Sequence, residues 1–211
     1  MIKLVCFDFD GVIAQTENVH TSWMLEELDH FGVTYTKEEL CHVIGGNRMI
    51  HARLMDEAFG NQENYQKNRE EILKPKYREY DIRELRTPYV KEFMQKIKES
   101  GKYICVCSNS IASRMETELT NLELREYVDG IYCGTDLGHA KPDPFIYKVS
   151  MQACNVEPNE TVVIEDSKAG IKAGHDSGAF VIAYKDAQGI SDQSLADVIV
   201  DNFKEAEKYV F

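Results

Sequence analysis

Two carboxylates, Asp8 and Asp10, directly follow an apolar run near the start of the chain. That run, residues 2–7, is apolar except for Lys3 and predicts a buried strand, on which side chains two positions apart point the same way. Asp8 and Asp10 would therefore converge, and they would repel each other unless a cation lies beside them. Mg²⁺ binds carboxylate and carbonyl oxygens and commonly acts beside a phosphate group, so the spacing predicts a magnesium site. A solvated acidic turn before Gly11 would show the same spacing.

More polar side chains stand at the ends of later apolar segments. They are Ser108 and Asn109 after residues 103–107, Lys141 after residues 130–133, and Glu165 and Asp166 after residues 161–164. Ligands of an open parallel sheet bind beyond the carboxyl ends of its strands, so one site could collect all of these groups. The Ser108 hydroxyl and the free N–H groups of a helix start suit phosphate oxygens, and Lys141 would neutralise phosphate charge. Taken alone, the segments at 108–110 and 141–144 also fit a helix cap and a turn.

The elements that would position these groups alternate from about residue 88 onward. Helical and strand-like segments follow one another, which favours a parallel sheet of about six strands covered on both faces. Residues 15–87 show helical periodicity only, and an insertion this long is usually a lid or a small domain. We therefore predict an α/β fold with a doubly wound, Rossmann-like parallel sheet and an inserted small α-helical cap. The core would comprise residues 1–14 and 88–211, and the cap residues 15–87.

The composition narrows the classes of partner. The 211 residues carry a formal net charge of −12, which disfavours nucleic acids and anionic membranes because both attract basic surfaces. The six cysteines show no C-x-x-C pair and indicate reduced thiols, several of them in the core. A leader-like segment and a long apolar run are both absent from the sequence. We expect a cytoplasmic protein that binds neither nucleic acid nor membrane, with a monomer favoured over an oligomer.

Four short motifs occur in order along the chain. They read Asp8-Phe9-Asp10-Gly11-Val12, Ser108-Asn109, Lys141-Pro142-Asp143 and Glu165-Asp166-Ser167. With these motifs the chain resembles the haloacid dehalogenase superfamily of phosphotransferases along nearly its whole length. The helical insertion directly after the first motif resembles the cap of the subgroup that holds β-phosphoglucomutase and many small sugar phosphatases.

The resemblance implies roles for five core residues. Asp8 would attack phosphorus and form an aspartyl-phosphate. Asp10 would protonate the leaving alcohol and later deprotonate the attacking water. Ser108, Asn109 and Lys141 would bind and stabilise the phosphoryl group.

The resemblance also implies Mg²⁺ as the cofactor. The Asp8 carboxylate, the Asp10 backbone carbonyl and Asp166 would bind the ion, and Glu165 would do so directly or through water. Asp10 argues against dehalogenation, because the alkoxide leaving a phosphate ester needs an acid whereas a departing halide does not.

Substrate contacts would come from the cap. Gly46, Asn47 and Arg48 resemble the cap loop that faces the active site in this subgroup, and Arg48 could clamp a phosphate or a carboxylate. A solvated arginine in a first helical turn is the alternative for Arg48. For His20, on the first cap helix, the sequence leaves two alternatives: a surface position or a contact with the substrate. One of the two lysines that flank Pro75 could supply another cation.

The leading hypothesis is a Mg²⁺-dependent phosphatase that hydrolyses a small phosphorylated metabolite, a sugar or sugar-acid phosphate. A β-phosphoglucomutase-like phosphomutase is the alternative, and Arg48 would suit it by gripping a second phosphate. The continuation of the second motif as Ser108-Asn109-Ser110 favours the phosphatase. A binding protein that keeps only the fold is disfavoured by the complete set of acids at Asp8, Asp10 and Asp166.

Overall fold

The computed structural model describes residues 1–30, 34, 36, 67, 71, 75, 80–186, 189 and 191–211. It divides into two compact units, one made of Met1–Gln15 and Ile82–Phe211 and the other of Thr16–Asp81. The segment that follows Asp81 belongs to the first unit because it is hydrogen-bonded there. The Gln15 N–H donates to the Leu85 carbonyl at 2.8 Å, and the Thr87 N–H donates to the Ile13 carbonyl at 3.0 Å. This division falls six residues before the boundary expected from the sequence, since backbone pairing at residues 82–87 leaves no periodic signal.

A parallel sheet forms the first unit. Its six strands, within the described residues, are β1 Leu4–Phe7, β2 Tyr103–Ser108, β3 Gly130–Cys133, β4 Thr161–Glu165, β5 Phe180–Tyr184 and β6 Val198–Val200. They lie in the order β3-β2-β1-β4-β5-β6. The strand order reverses at β1, which is the position where open α/β sheets bind ligands. The predicted doubly wound α/β fold is confirmed.

Helices connect the strands of the first unit. The α-helices whose bounds fall within the described residues are α1 Glu17–His30 in the second unit and, in the first unit, α2 Val90–Glu99, α3 Ala112–Asn121, α4 Gly134–Leu137, α5 Phe145–Cys154, α6 Lys168–Ser177 and α7 Phe203–Val210. Short 3₁₀ helices occupy Ile82–Leu85, Arg125–Tyr127 and Pro158–Glu160. Within the ranges described here, none of the helices combines the length and apolarity needed to cross a bilayer.

Both faces of the sheet are covered, as its largely apolar strands require. All four residues of β1 are fully buried. On one face, the Phe7 ring centroid lies 5.9 Å from that of Phe93 in α2 and 6.1 Å from that of Phe203 in α7. On the other face, the Cys6 thiol lies 3.3 Å from the Ser150 hydroxyl of α5. The helices therefore hold β1 at the centre of the unit and fix the position of the residues that follow it.

The cysteines of the described residues are free thiols, as the sequence predicts. They are Cys6, Cys105, Cys107, Cys133 and Cys154. Cys41 lies outside the described residues. The sulfur atoms of Cys105 and Cys154 are 3.8 Å apart. Burial raises the pKa of Cys133 to about 12, so this thiol stays protonated at neutral pH.

Candidate active site

The carboxyl ends of three adjacent strands, β2, β1 and β4, bring the predicted polar side chains together. Phe7 at the end of β1 pairs with Val106 of β2 and with Ile164 of β4. Asp8 continues the ladder by one residue, because its N–H donates to the Ile164 carbonyl at 2.9 Å. Asp8 therefore lies level with Glu165, which ends β4.

Lys141 reaches this edge from the loop between α4 and α5. Its ammonium donates to Asp8 Oδ1 at 2.6 Å, to the Cys107 carbonyl at 2.7 Å and to Glu165 Oε1. The side chain is 3% exposed. Burial alone would lower the pKa of Lys141, but the charges of Asp8 and Glu165 outweigh it and raise that pKa above its ordinary value. Lys141 is therefore held as a cation between two carboxylates.

The acidic groups at this edge are close enough to share a cation. Oxygen atoms of Asp8, Glu165 and Asp166 all lie within 4.8 Å of one another. Burial, and then the charge of Glu165, raise the pKa of Asp8 well above its ordinary value, although Lys141 opposes this. Gly11 has φ +82°, and a Cβ there would lie 1.9 Å from Asp166 Oδ2, so only glycine leaves room for the Asp166 carboxylate. A set of buried carboxylate oxygens fits a hard divalent metal ion.

Glu165 is hydrogen-bonded through both carboxylate oxygens. Oε1 accepts from Lys141 and, at 2.7 Å, from the Tyr147 hydroxyl, while Oε2 accepts from the Asp166 N–H and the Ser167 hydroxyl at 3.2 Å each. Glu165 is fully buried. Sequence reasoning missed Tyr147, because its place in an apolar stripe of α5 marks it only as a core residue.

Ser108 and Asn109 lie at the end of β2, where the sequence places phosphate contacts. The Asn109 side chain is bonded to the backbone of Lys141: Oδ1 accepts from the Lys141 N–H at 2.7 Å, and Nδ2 donates to the Lys141 carbonyl at 3.4 Å. The buried Ser108 hydroxyl accepts from the Ser110 N–H at 3.2 Å. The Asn109 amide therefore anchors the loop that delivers Lys141.

Arg114 of α3 binds Asp10, which sequence reasoning did not foresee. Its Nη2 donates to Asp10 Oδ1 at 2.8 Å and its Nη1 to Asp10 Oδ2 at 3.2 Å. Its Nε donates to Glu118 Oε1 at 2.8 Å. The i,i+4 pair of Arg114 and Glu118 on the helix that follows the Ser-Asn motif is the signal that could have singled out this arginine.

The predicted cap residues fall in the second unit. The His20 ring lies 5.6 Å from Trp23 and 6.5 Å from Tyr80, centroid to centroid, so these three aromatic side chains form one cluster. The other predicted cap positions lie outside the described residues; they are Gly46, Asn47, Arg48 and the lysines Lys74 and Lys76.

The buried acids and the lysine lie at the switch point of a doubly wound sheet, where α/β proteins bind their ligands. The family model described as haloacid dehalogenase-like hydrolase matches residues 5–184. The chain therefore belongs to the haloacid dehalogenase-like hydrolase family, which confirms the resemblance carried by the four motifs.

Several known proteins are similar to the chain. A phosphorylated carbohydrates phosphatase of Thermotoga maritima is 25% identical over 177 residues, which are 84% of this chain and 82% of that protein. A predicted phosphoglycolate phosphatase from Haemophilus somnus superposes with a TM-score of 0.84 at 21% identity, covering 100% of this chain and 98% of the other. A β-phosphoglucomutase from Clostridium difficile superposes with a TM-score of 0.78 at 21% identity, covering 100% and 97%. These two superpositions establish the fold.

Proposed function

We propose that the chain is a metal-dependent phosphatase that hydrolyses a small phosphorylated metabolite, a sugar or sugar-acid phosphate. The ion pair of the buried Asp8 with Lys141, beside the acids Glu165 and Asp166, carries this proposal. A carboxylate nucleophile beside a cation that can bind an anionic group suits phosphoryl transfer. The likeness to a phosphatase of phosphorylated carbohydrates supports the substrate class.

The reaction would proceed in two transfers on Asp8. The Asp8 carboxylate attacks phosphorus, the ester P–O bond breaks, and Asp10 in its acid form gives a proton to the departing alkoxide. An aspartyl-phosphate and a free alcohol result. Asp10, now a carboxylate, then takes a proton from the water that attacks the aspartyl-phosphate, which releases inorganic phosphate and restores both side chains. Lys141 would keep Asp8 in place and offset the charge of the phosphoryl oxygens.

Mg²⁺ is the proposed metal, because carboxylate and carbonyl oxygens suit a hard divalent cation that acts beside a phosphate group. Asp8, Asp166 and the Asp10 backbone carbonyl would hold it, and it would neutralise charge on the phosphoryl oxygens. The hydrogen bonds that Glu165 already accepts on both oxygens favour a water-mediated contribution from this residue. Ser108 would bind a phosphoryl oxygen through its hydroxyl, and Asn109 would act by fixing Lys141.

From the sequence, we propose that residues of the second unit determine which substrate is bound. His20 is the described residue proposed for this role, and Gly46, Asn47 and Arg48 are proposed with it. The aromatic neighbours Trp23 and Tyr80 would keep the His20 ring in a fixed orientation.

Phosphate release from a panel of sugar phosphates, sugar-acid phosphates and nucleotides, with Mg²⁺ or with EDTA, tests the proposal. Isomerisation of β-glucose 1-phosphate in the presence of its bisphosphate activator is followed in parallel. We expect steady, EDTA-sensitive phosphate release from one class of sugar ester. Isomerisation faster than phosphate release would show that the chain is a phosphomutase instead. No phosphate release and no isomerisation would contradict both proposed activities.

A further inference from the structure

The carboxylate of Asp10 forms a bidentate ion pair with the guanidinium of Arg114. The two terminal nitrogens of the Arg114 guanidinium form a fork, and each donates to one carboxylate oxygen of Asp10, at 2.8 and 3.2 Å. Such a two-point contact fixes the plane of a carboxylate as well as its position, which a lysine ammonium cannot do.

Arg114 is itself held on three sides. Its Nε donates to Glu118 Oε1 at 2.8 Å, and its Nη1 donates to the Ser110 hydroxyl at 3.3 Å. Its guanidinium carbon lies 5.9 Å from the centre of the buried Phe9 ring. Burial alone would lower the pKa of Arg114, but the charges of Asp10 and Glu118 raise it above its ordinary value. Helix α3 therefore presents to Asp10 a charged guanidinium whose other contacts favour this one orientation.

Asp10 needs such support because it lies beyond the end of β1. Phe7 is the last residue of that strand, and the chain turns at Gly11 with φ +82°. A side chain on a turn can take several rotamers, whereas proton transfer demands one position within hydrogen-bond reach of the ester oxygen.

We propose that Arg114 is a positioning residue that sets the orientation of the Asp10 carboxyl group, which in its acid form gives a proton to the leaving group. The inference rests on the proposed function, because Asp10 acts as an acid only in that reaction. A misplacement of about 1 Å in a catalytic group can cost about 100-fold in rate. Loss of the fork is therefore expected to slow the step in which the alcohol departs.

The test compares Arg114→Lys, which keeps the charge and loses the fork, with the unsubstituted enzyme on two kinds of ester. One is the sugar phosphate that the enzyme hydrolyses fastest, whose alkoxide needs a proton to leave. The other is p-nitrophenyl phosphate, whose phenolate leaves without one. Release of the leaving group in a single turnover isolates the first transfer, where Asp10 acts as the acid. We expect Arg114→Lys to lose about 10- to 100-fold on the sugar ester and less than about threefold on the aryl ester.

A double-mutant cycle shows whether Arg114 acts through Asp10. In an Asp10→Asn background, Arg114→Lys should cause no further loss on the sugar ester, because the acid whose position it sets is already gone. Arg125→Lys is the matched control: Arg125 donates to Glu116 on the same helix at 2.6 and 3.2 Å, and its replacement should leave both rates unchanged.

Equal losses on both esters, or an additive loss in the Asp10→Asn background, would overturn the positioning role and leave the proposed function standing. An unsubstituted enzyme that hydrolyses neither ester would overturn the proposed function, and the inference with it.

Discussion

The Lys141 ammonium lies between two buried carboxylates, and its loss would leave both of them without a compensating charge from the part of the chain that the structure describes. Breaking a buried pair from one side typically costs about 3–5 kcal/mol, because an isolated charge remains in a poorly solvated site. We therefore expect Lys141→Met to destabilise the metal-free protein by that amount in urea unfolding.

Lys98→Met is the matched control for this substitution. Lys98 pairs with Asp129 at 2.6 Å, but both side chains are about one-third exposed, at 32% and 30%. An exposed pair of this kind contributes less than about 1 kcal/mol. Similar losses for the two variants would contradict the role of Lys141 in the charge balance of the site.

Asp8 and Asp10 have separable roles in the proposed reaction, and their amide variants distinguish them. Asp8→Asn removes the nucleophile, so no phosphoenzyme forms and phosphate release falls to background. Asp10→Asn keeps the nucleophile and removes the acid and base, so turnover falls about 10²- to 10⁴-fold. Mass spectrometry of Asp10→Asn mixed with p-nitrophenyl phosphate should show one added phosphoryl group, which Asp8→Asn should lack. Unchanged hydrolysis in Asp8→Asn would contradict its assignment as nucleophile.

The sequence predicts the strands of the sheet better than it predicts the contacts of the helices. Apolar runs that end in acids predict β1 and β4 and place Asp8 and Asp166 at their ends, because strand pattern and chain order decide these positions. Arg114 and Tyr147 could not be predicted in the same way. Each lies on a helix, and its meeting with Asp10 or Glu165 depends on how that helix crosses the sheet. A local signal such as the i,i+4 pair of Arg114 and Glu118 can mark the side chain but does not identify its partner.

Helix α6 approaches the site so closely that one of its residues must lack a side chain. A Cβ at Gly170 would lie 1.9 Å from Glu165 Oε1. Alanine is favoured over glycine in a helix by about 1 kcal/mol, but here the overlap would push the Glu165 carboxylate away from Lys141 and Tyr147. We expect Gly170→Ala to lose about 1–3 kcal/mol in urea unfolding and to lose activity. Lys172→Ala, at an exposed position of the same helix, should change stability by less than about 0.5 kcal/mol. A stabilised Gly170→Ala protein would contradict the close approach.

The acidic cluster exists only in the folded protein. Asp8 and Asp166 come from strand ends far apart in the sequence and become neighbours because β1 lies beside β4 in the sheet. Their carboxylates repel each other in the folded state and are independent in the unfolded chain. A metal ion that binds the cluster must therefore bind the folded protein in preference to the unfolded one, so that binding and folding are linked.

That linkage gives a test of the metal site that needs no substrate. Protein freed of metal with EDTA should unfold at a higher temperature when MgCl₂ is added, with a gain of about 2.7 kcal/mol at a concentration 100 times the dissociation constant. Asp166→Asn should be more stable than the unsubstituted protein without metal, because one repelling charge is gone, and should gain little from MgCl₂. Asp176→Asn removes an exposed carboxylate of α6 that pairs with Lys172, so its response to MgCl₂ should match that of the unsubstituted protein. An equal response in all three proteins would show that Mg²⁺ acts elsewhere, since a non-specific ionic effect does not distinguish Asp166 from Asp176.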